Sequence, residues 1–118
     1  GFAGAGPMRR DYRIRKALQL LQDGAGEIGE LDAVARAVGL SRPHFYKLFR
    51  DQVGATPKLY LNTLLMERAV NLLADGANPV ADIGFDLGFS SQASFSRFFI
   101  GNGVVAPSAY RRSVQVSA

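Results

Sequence analysis

The 118 residues, 47% hydrophobic and 20% charged, suffice for one compact domain or two very small helical lobes sharing a connector, and exclude most large enzyme architectures. Fourteen Lys and Arg against ten Asp and Glu leave a net charge of +4 at pH 7, which favours a polyanionic partner, nucleic acid first. With no cysteine and one histidine, His44, the chain has no disulfides, thiolate metal sites or cysteine nucleophiles, and no apolar run approaches the roughly 18 residues that span a bilayer.

Gly1–Pro7 lack the cationic start and long apolar stretch of a secretory signal and read as a linker or cloning remnant, so the domain is placed at 8–118. Ile14, Ala17, Leu18 and Leu21 recur at helical spacing and predict a first helix from residue 8 to 23, with Gly24 placed for a left-handed cap. The cluster Arg9, Arg10, Arg13, Arg15 and Lys16, interrupted by Asp11, reads as its solvated face. Gly24 to Gly29 match G-x-G-x-x-G, but the stretch follows a helix rather than a strand, so it reads as an interhelical loop.

Leu31, Val34, Ala35 and Val38 predict a short second helix that Gly39 stops. Ser41 is placed to cap a third, with Pro43 in its first turn, Phe45, Leu48 and Phe49 inward, and Gly54 at its end. Thr56-Pro57 repeats that start and opens a long helix reaching to Gly76, about 18 residues and roughly 27 Å. Asn78-Pro79 opens a fifth helix bearing Val80, Ile83 and Leu87, which Gly88 ends; Ser90 or Ser91 caps a sixth with Phe95, Phe98 and Phe99 inward. Gly101-Asn102-Gly103 lacks the Lys-Ser/Thr of a phosphate loop and reads as a turn, and a last short helix starts near Pro107 and includes Tyr110. With no sustained period-2 alternation, the chain reads as all-α.

An internal repeat organises these elements. Gly39-Leu40-Ser41 match Gly88-Phe89-Ser90 at an offset of 49, and Phe45, Lys47, Phe49, Pro57 and Tyr60 match Phe95, Arg97, Phe99, Pro107 and Tyr110 at an offset of 50. Each unit, at about 31–54 and about 79–112, is a short helix, a glycine turn and a second helix, the helix-turn-helix pattern, with the long helix of about 57–75 between them. In such a motif the second helix buries one stripe and offers the opposite stripe to the major groove. At 100° per residue, the first unit presents Pro43, Lys47 and Arg50, flanked by Tyr46 and Arg42, and the second presents Ala93 and Arg97, flanked by Gln92 and Ser96.

Arg and Lys can donate to guanine O6 and N7, Gln can pair with adenine, Ser can bond bases or phosphates, and Ala or Pro can touch a thymine methyl. Tyr46, Lys47, Gln92, Ser96 and Arg97 are therefore expected to read bases, and Arg42, Arg50, Ser91, Arg111 and Arg112 to hold phosphates. His44 lies off the centre of that face, and the ten carboxylates show no paired spacing for general acid/base work, so no catalytic, cofactor or metal site is assigned.

These positions bring a family into view. LDAVARAVGLSRPHFYKLFRDQVGATPKLYL, and then ADIGFDLGFSSQASFSRFF with VAPSAYRR, resemble the DNA-binding domain of AraC/XylS-type bacterial transcription regulators over about 31–112. The resemblance implies a seven-helix, two-lobed domain whose connector helix joins two helix-turn-helix units, with recognition helices entering successive major grooves. Its base-reading positions fall on Pro43, Tyr46 and Lys47 and on Gln92, Ala93, Ser96 and Arg97. It further implies a non-palindromic duplex site, RNA polymerase as a further partner, a cytoplasmic, nucleoid-associated setting, and either a monomeric fragment of a longer regulator that dimerises through another domain or a stand-alone regulator. The other reading of the basic surface is a helical module that binds an acidic protein. The chain departs from the family's usual pattern at Leu65 and Ile100, where a basic residue is usual, at Gly84, where alanine is, and at Val104, where glycine is. Gly84 within a helix is expected to weaken the second unit by roughly 0.5–1 kcal/mol relative to alanine.

Overall fold

The computed structural model describes residues 10–23, 31–103 and 105–117, and among these the chain forms seven helices and no strand. They are α1 (Tyr12–Asp23), α2 (Leu31–Ala37), α3 (Arg42–Val53), α4 (Pro57–Asp75), α5 (Val80–Asp86), α6 (Gln92–Asn102) and α7 (Pro107–Ser117). The chain divides into two compact units, Gly1–Leu61 and Asn62–Ala118. Gly24 and the glycine-rich loop to Gly29 lie outside the described residues, as do Gly1 to Arg9 and Val104.

In the first unit α1 begins at Tyr12, later than its apolar spacing predicts, because Asp11 caps it. The Asp11 carboxylate accepts the Arg13 backbone N–H at 2.8 Å and the Arg13 guanidinium at 2.9 and 3.1 Å, meeting a donor that the helix itself leaves unpaired. The Arg13 hydrogen bonds, side chain first and then backbone, hold the Asp11 carboxyl down to about 2 from 3.8. The Asp11 backbone N–H donates to Gln52 Oε1 at 2.7 Å, tying this start to α3, and Gln22 Nε2 donates to the Tyr60 hydroxyl at 2.8 Å, tying α1 to α4.

The two helix-turn-helix turns are built alike. After α2, Gly39 takes φ 77° while the backbone N–H groups of Gly39 and Leu40 donate to the carbonyls of Arg36 and Ala35, both at 3.0 Å. After α5, Gly88 takes φ 94° while Gly88 and Phe89 donate to Phe85 and Gly84 at 3.0 and 2.9 Å. This is the paired closure that a left-handed residue after a helix permits, and glycine adopts it without a Cβ penalty. Ser41 then caps α3 by accepting the His44 N–H, with Pro43 in the first turn as predicted. For α6 the cap is Ser91, and Ser94 closes the reciprocal bond.

The repeated aromatic residues form the same cluster in each unit. Phe49 meets Phe45 at 5.6 Å and the Tyr60 ring at 5.7 Å, while Phe99 meets Phe95 at 6.0 Å and the Tyr110 ring at 5.9 Å. Phe45, Phe49 and Phe95 are fully buried, which contributes about 1.5–3 kcal/mol each. Leu48 and Phe98, predicted inward with them, are only half-buried. Along α4, Leu61, Leu65, Ala69 and Leu73 make one buried stripe.

Two expectations are corrected. Gly101 and Asn102 belong to α6 rather than to a turn, and Asn102 Nδ2 donates to the Phe98 carbonyl at 2.8 Å; a single glycine costs a helix only about 1 kcal/mol, too little to break this one. Gly84, read as a weak point, is a packing residue: a Cβ there would stand 2.7 Å from Phe95 Cβ. Alanine's better helix propensity is no gain where its methyl has no room.

Candidate nucleic-acid interface

The solvent face of α3 carries Arg42, Pro43, His44, Lys47 and Arg50, all exposed, with Tyr46 half-buried beside them. Tyr46 stands in a T-shaped arrangement with the buried Phe45 at 6.0 Å. The Arg42 guanidinium lies 5.2 Å from the Tyr46 ring centroid and reaches both carboxylate oxygens of Asp32 on α2 at 3.2 Å. Lys47 Nζ pairs with Asp51 one turn along α3 at 2.8 Å. That hydrogen bond, with the nearby Arg50 charge adding less, holds the Asp51 carboxyl below its ordinary value.

On α6, Gln92, Ala93 and Arg97 are exposed and Ser96 is half-buried. The helix contains no acidic residue, and no carboxylate among the described residues pairs with Arg97. The structure thus brings each set of predicted base readers onto one helix face per unit. Each face offers cationic and neutral hydrogen-bond donors.

The predicted phosphate holders separate. Arg50 and Arg112 are exposed cations. Arg42 is held by Asp32 and Tyr46. The Ser91 hydroxyl is occupied at the start of α6, accepting the Ser94 N–H and donating to Ser94 Oγ, both at 3.1 Å. Arg111 is turned inward: Nε donates to the Leu73 carbonyl at 3.0 Å and Nη2 to the Leu72 carbonyl at 3.3 Å, capping the C-terminal end of α4. In the N-terminal cluster, Arg13 is taken by Asp11 and Arg15 by the Arg10 carbonyl at 2.8 Å. Leu65, where a basic residue is usual, is fully buried.

Asp32 and Asp51 were not assigned from the sequence. The Lys47–Asp51 spacing of four on one helix carries a legible signal, whereas Asp32 and Arg42 meet only once the turn brings α2 and α3 together.

The family model of the helix-turn-helix domain matches residues 34–113. The chain belongs to the AraC-type helix-turn-helix family. It resembles the C-terminal domain of AraT, a response regulator from Geobacillus stearothermophilus, at TM-score 0.82 and 26% identity over 89% of this chain and 88% of that one. An AraC-type DNA-binding-domain regulator from Chromobacterium violaceum aligns at TM-score 0.74 and 28% identity, covering 95% and 96%. Among curated relatives, the lactose operon transcription activator of Staphylococcus xylosus is 31% identical over 87 residues, 74% of this chain and 31% of that protein. The chain spans about a third of the length of the curated relatives it matches. The family is one of transcriptional regulators, and no helix of the described residues is long and apolar enough to cross a membrane.

Proposed function

We propose that this AraC-type chain is the DNA-binding module of a bacterial transcriptional regulator, and that α3 and α6 each lie in a major groove, in successive grooves of one duplex. The observation that carries the reading is the recurrence, on two helices that each follow a glycine turn, of an outward cationic residue at matched positions, Lys47 and Arg97. Tyr46 and Lys47, with Pro43 in apolar contact, read one half-site; Gln92, Ala93, Ser96 and Arg97 read the other. Because the two faces differ in chemistry, the preferred site is non-palindromic. Arg50 and Arg112 hold phosphates, with Arg42 able to join them on release from Asp32.

Within the whole regulator the same module acts in the cytoplasm on the nucleoid and works with RNA polymerase, while the 118-residue chain binds as a monomer. Selection from a randomised duplex pool with the purified chain tests the core of this reading. One enriched, asymmetric motif whose binding weakens steeply with salt is the expected result; no enrichment over random DNA would leave the acidic-protein partner as the better account of the basic surface.

A further inference from the structure

Two of the three cations on the α3 face that the sequence places against DNA carry an acidic companion: Lys47 is held by Asp51 at 2.8 Å and Arg42 by Asp32 at 3.2 Å, while Arg50 has none among the described residues. Arg97 on α6 has none among the described residues. The two units thus present the same motif with different electrostatics.

Exposed ion pairs of this kind are weak, so a nucleic acid can displace them. From a Debye length away, about 8–10 Å, a Lys–Asp pair acts as a dipole rather than a charge, and most of its attraction to a phosphate cancels. At a base edge the balance differs. An ammonium has three donors, so Lys47 can keep one on Asp51 and still offer two to guanine O6 and N7. The carboxylate therefore weakens generic phosphate binding more than base readout.

We propose, resting on the DNA-binding reading above, that Asp51 and Asp32 are specificity-determining residues: by pairing Lys47 and Arg42 they suppress binding of the first unit to non-cognate duplex, leaving the exposed Arg50 and Arg112 as the principal generic electrostatic anchors. Asp32 acts through Arg42, which it holds over the Tyr46 ring, and is a positioning residue.

The test uses the full 118-residue chain in fluorescence-anisotropy titrations over a salt series, against the selected duplex and a random-sequence duplex of equal length. Asp51→Asn, Asp32→Asn and, as a control for net charge alone, Asp23→Asn on α1 are compared with wild type. For Asp51→Asn we expect random-duplex affinity to rise about 3- to 10-fold, with the salt slope steeper by about one. Affinity for the selected duplex should rise less, so that the specificity ratio falls. Asp32→Asn should lower the ratio and also relax preference at the base pair that Tyr46 faces. Equal gains on both duplexes, no gain on either, or the same shift in Asp23→Asn would overturn the proposal. Wild-type protein that prefers no selected duplex over random DNA would instead overturn the DNA-binding reading beneath it.

Discussion

A methyl group built on Gly84 would stand 2.7 Å from Cβ and 3.0 Å from Cγ of Phe95. The neighbouring atoms are the root of a fully buried ring, which cannot swing aside as the tip of a flexible side chain would. In the first unit the position matching Gly84 at the offset of 49 is Ala35, and the residue matching Phe89 is the smaller Leu40. Phe89 packs on Phe95 at 5.4 Å, and a Cβ at Gly84 would press on that same Phe95. Gly84→Ala should therefore destabilise the protein, with overpacking of about 1–3 kcal/mol outweighing a propensity gain of up to about 1. Denaturant unfolding decides the sign, and a rise in midpoint would show that α5 can move off α6 at no cost.

Asp11 makes the start of α1 sensitive to acid. Its carboxyl is held down to about 2 from 3.8, first by the side-chain and then by the backbone hydrogen bond from Arg13. A depressed folded-state value means a contribution that is complete above pH 3.8 and lost as the pH falls through about 2. The α1 amides nearest the cap should accordingly lose exchange protection in that window, before the aromatic cores open. Asp11→Asn should remove this acid-dependent step, and a carboxyl carbon that titrates with a midpoint near 4 would refute the cap as drawn.

Arg111 and Arg112 are adjacent in sequence but differ in their contacts. Arg111 meets the last carbonyls of α4 through Nε and Nη2, a charge-assisted cap placed where the helix dipole also favours a cation. Arg111→Ala should lower stability by about 1–2 kcal/mol, the low end of what charged hydrogen bonds yield because the group is partly exposed. It should leave the salt slope of DNA binding unchanged. Arg112→Ala should do the reverse, flattening that slope by about one with little effect on unfolding. If Arg111→Ala instead flattened the slope at unchanged stability, its place on α4 would not persist on DNA.

The helices were legible because their signals are local: apolar spacing, serine or threonine before proline, and glycine at the close. The repeat added what periodicity alone does not give, namely that Phe49 with Tyr60 and Phe99 with Tyr110 form equivalent pairs. The outward faces followed once Phe45 and Phe95 were fixed inward. Other features depend on contacts between distant positions and have no local signature. Arg111 looks like any exposed arginine until α7 lies against the end of α4, and Gln52 like any polar helix residue until it receives the Asp11 N–H. Gly84 misled for the same reason: helix propensity belongs to the residue, whereas the space beside it belongs to Phe95.

Arg97 and Arg50 allow base reading to be separated from charge. Both are exposed arginines on candidate recognition helices, so removing either loses one positive charge. Arg97 sits at the position matching Lys47, one turn into α6 at the centre of the face shared with Ala93, whereas Arg50 lies nearer the C-terminal end of α3. Arg97→Ala is expected to cost about 1–3 kcal/mol at one base pair and to flatten preference there, as loss of a bidentate guanine contact would. Arg50→Ala should weaken all duplexes alike and reduce the salt slope by about one. The measurement is a set of affinities for the selected site and its single-base variants. Arg97→Ala weakening every variant equally would move this residue to the phosphates and leave Gln92 and Ser96 to carry the readout of the second unit.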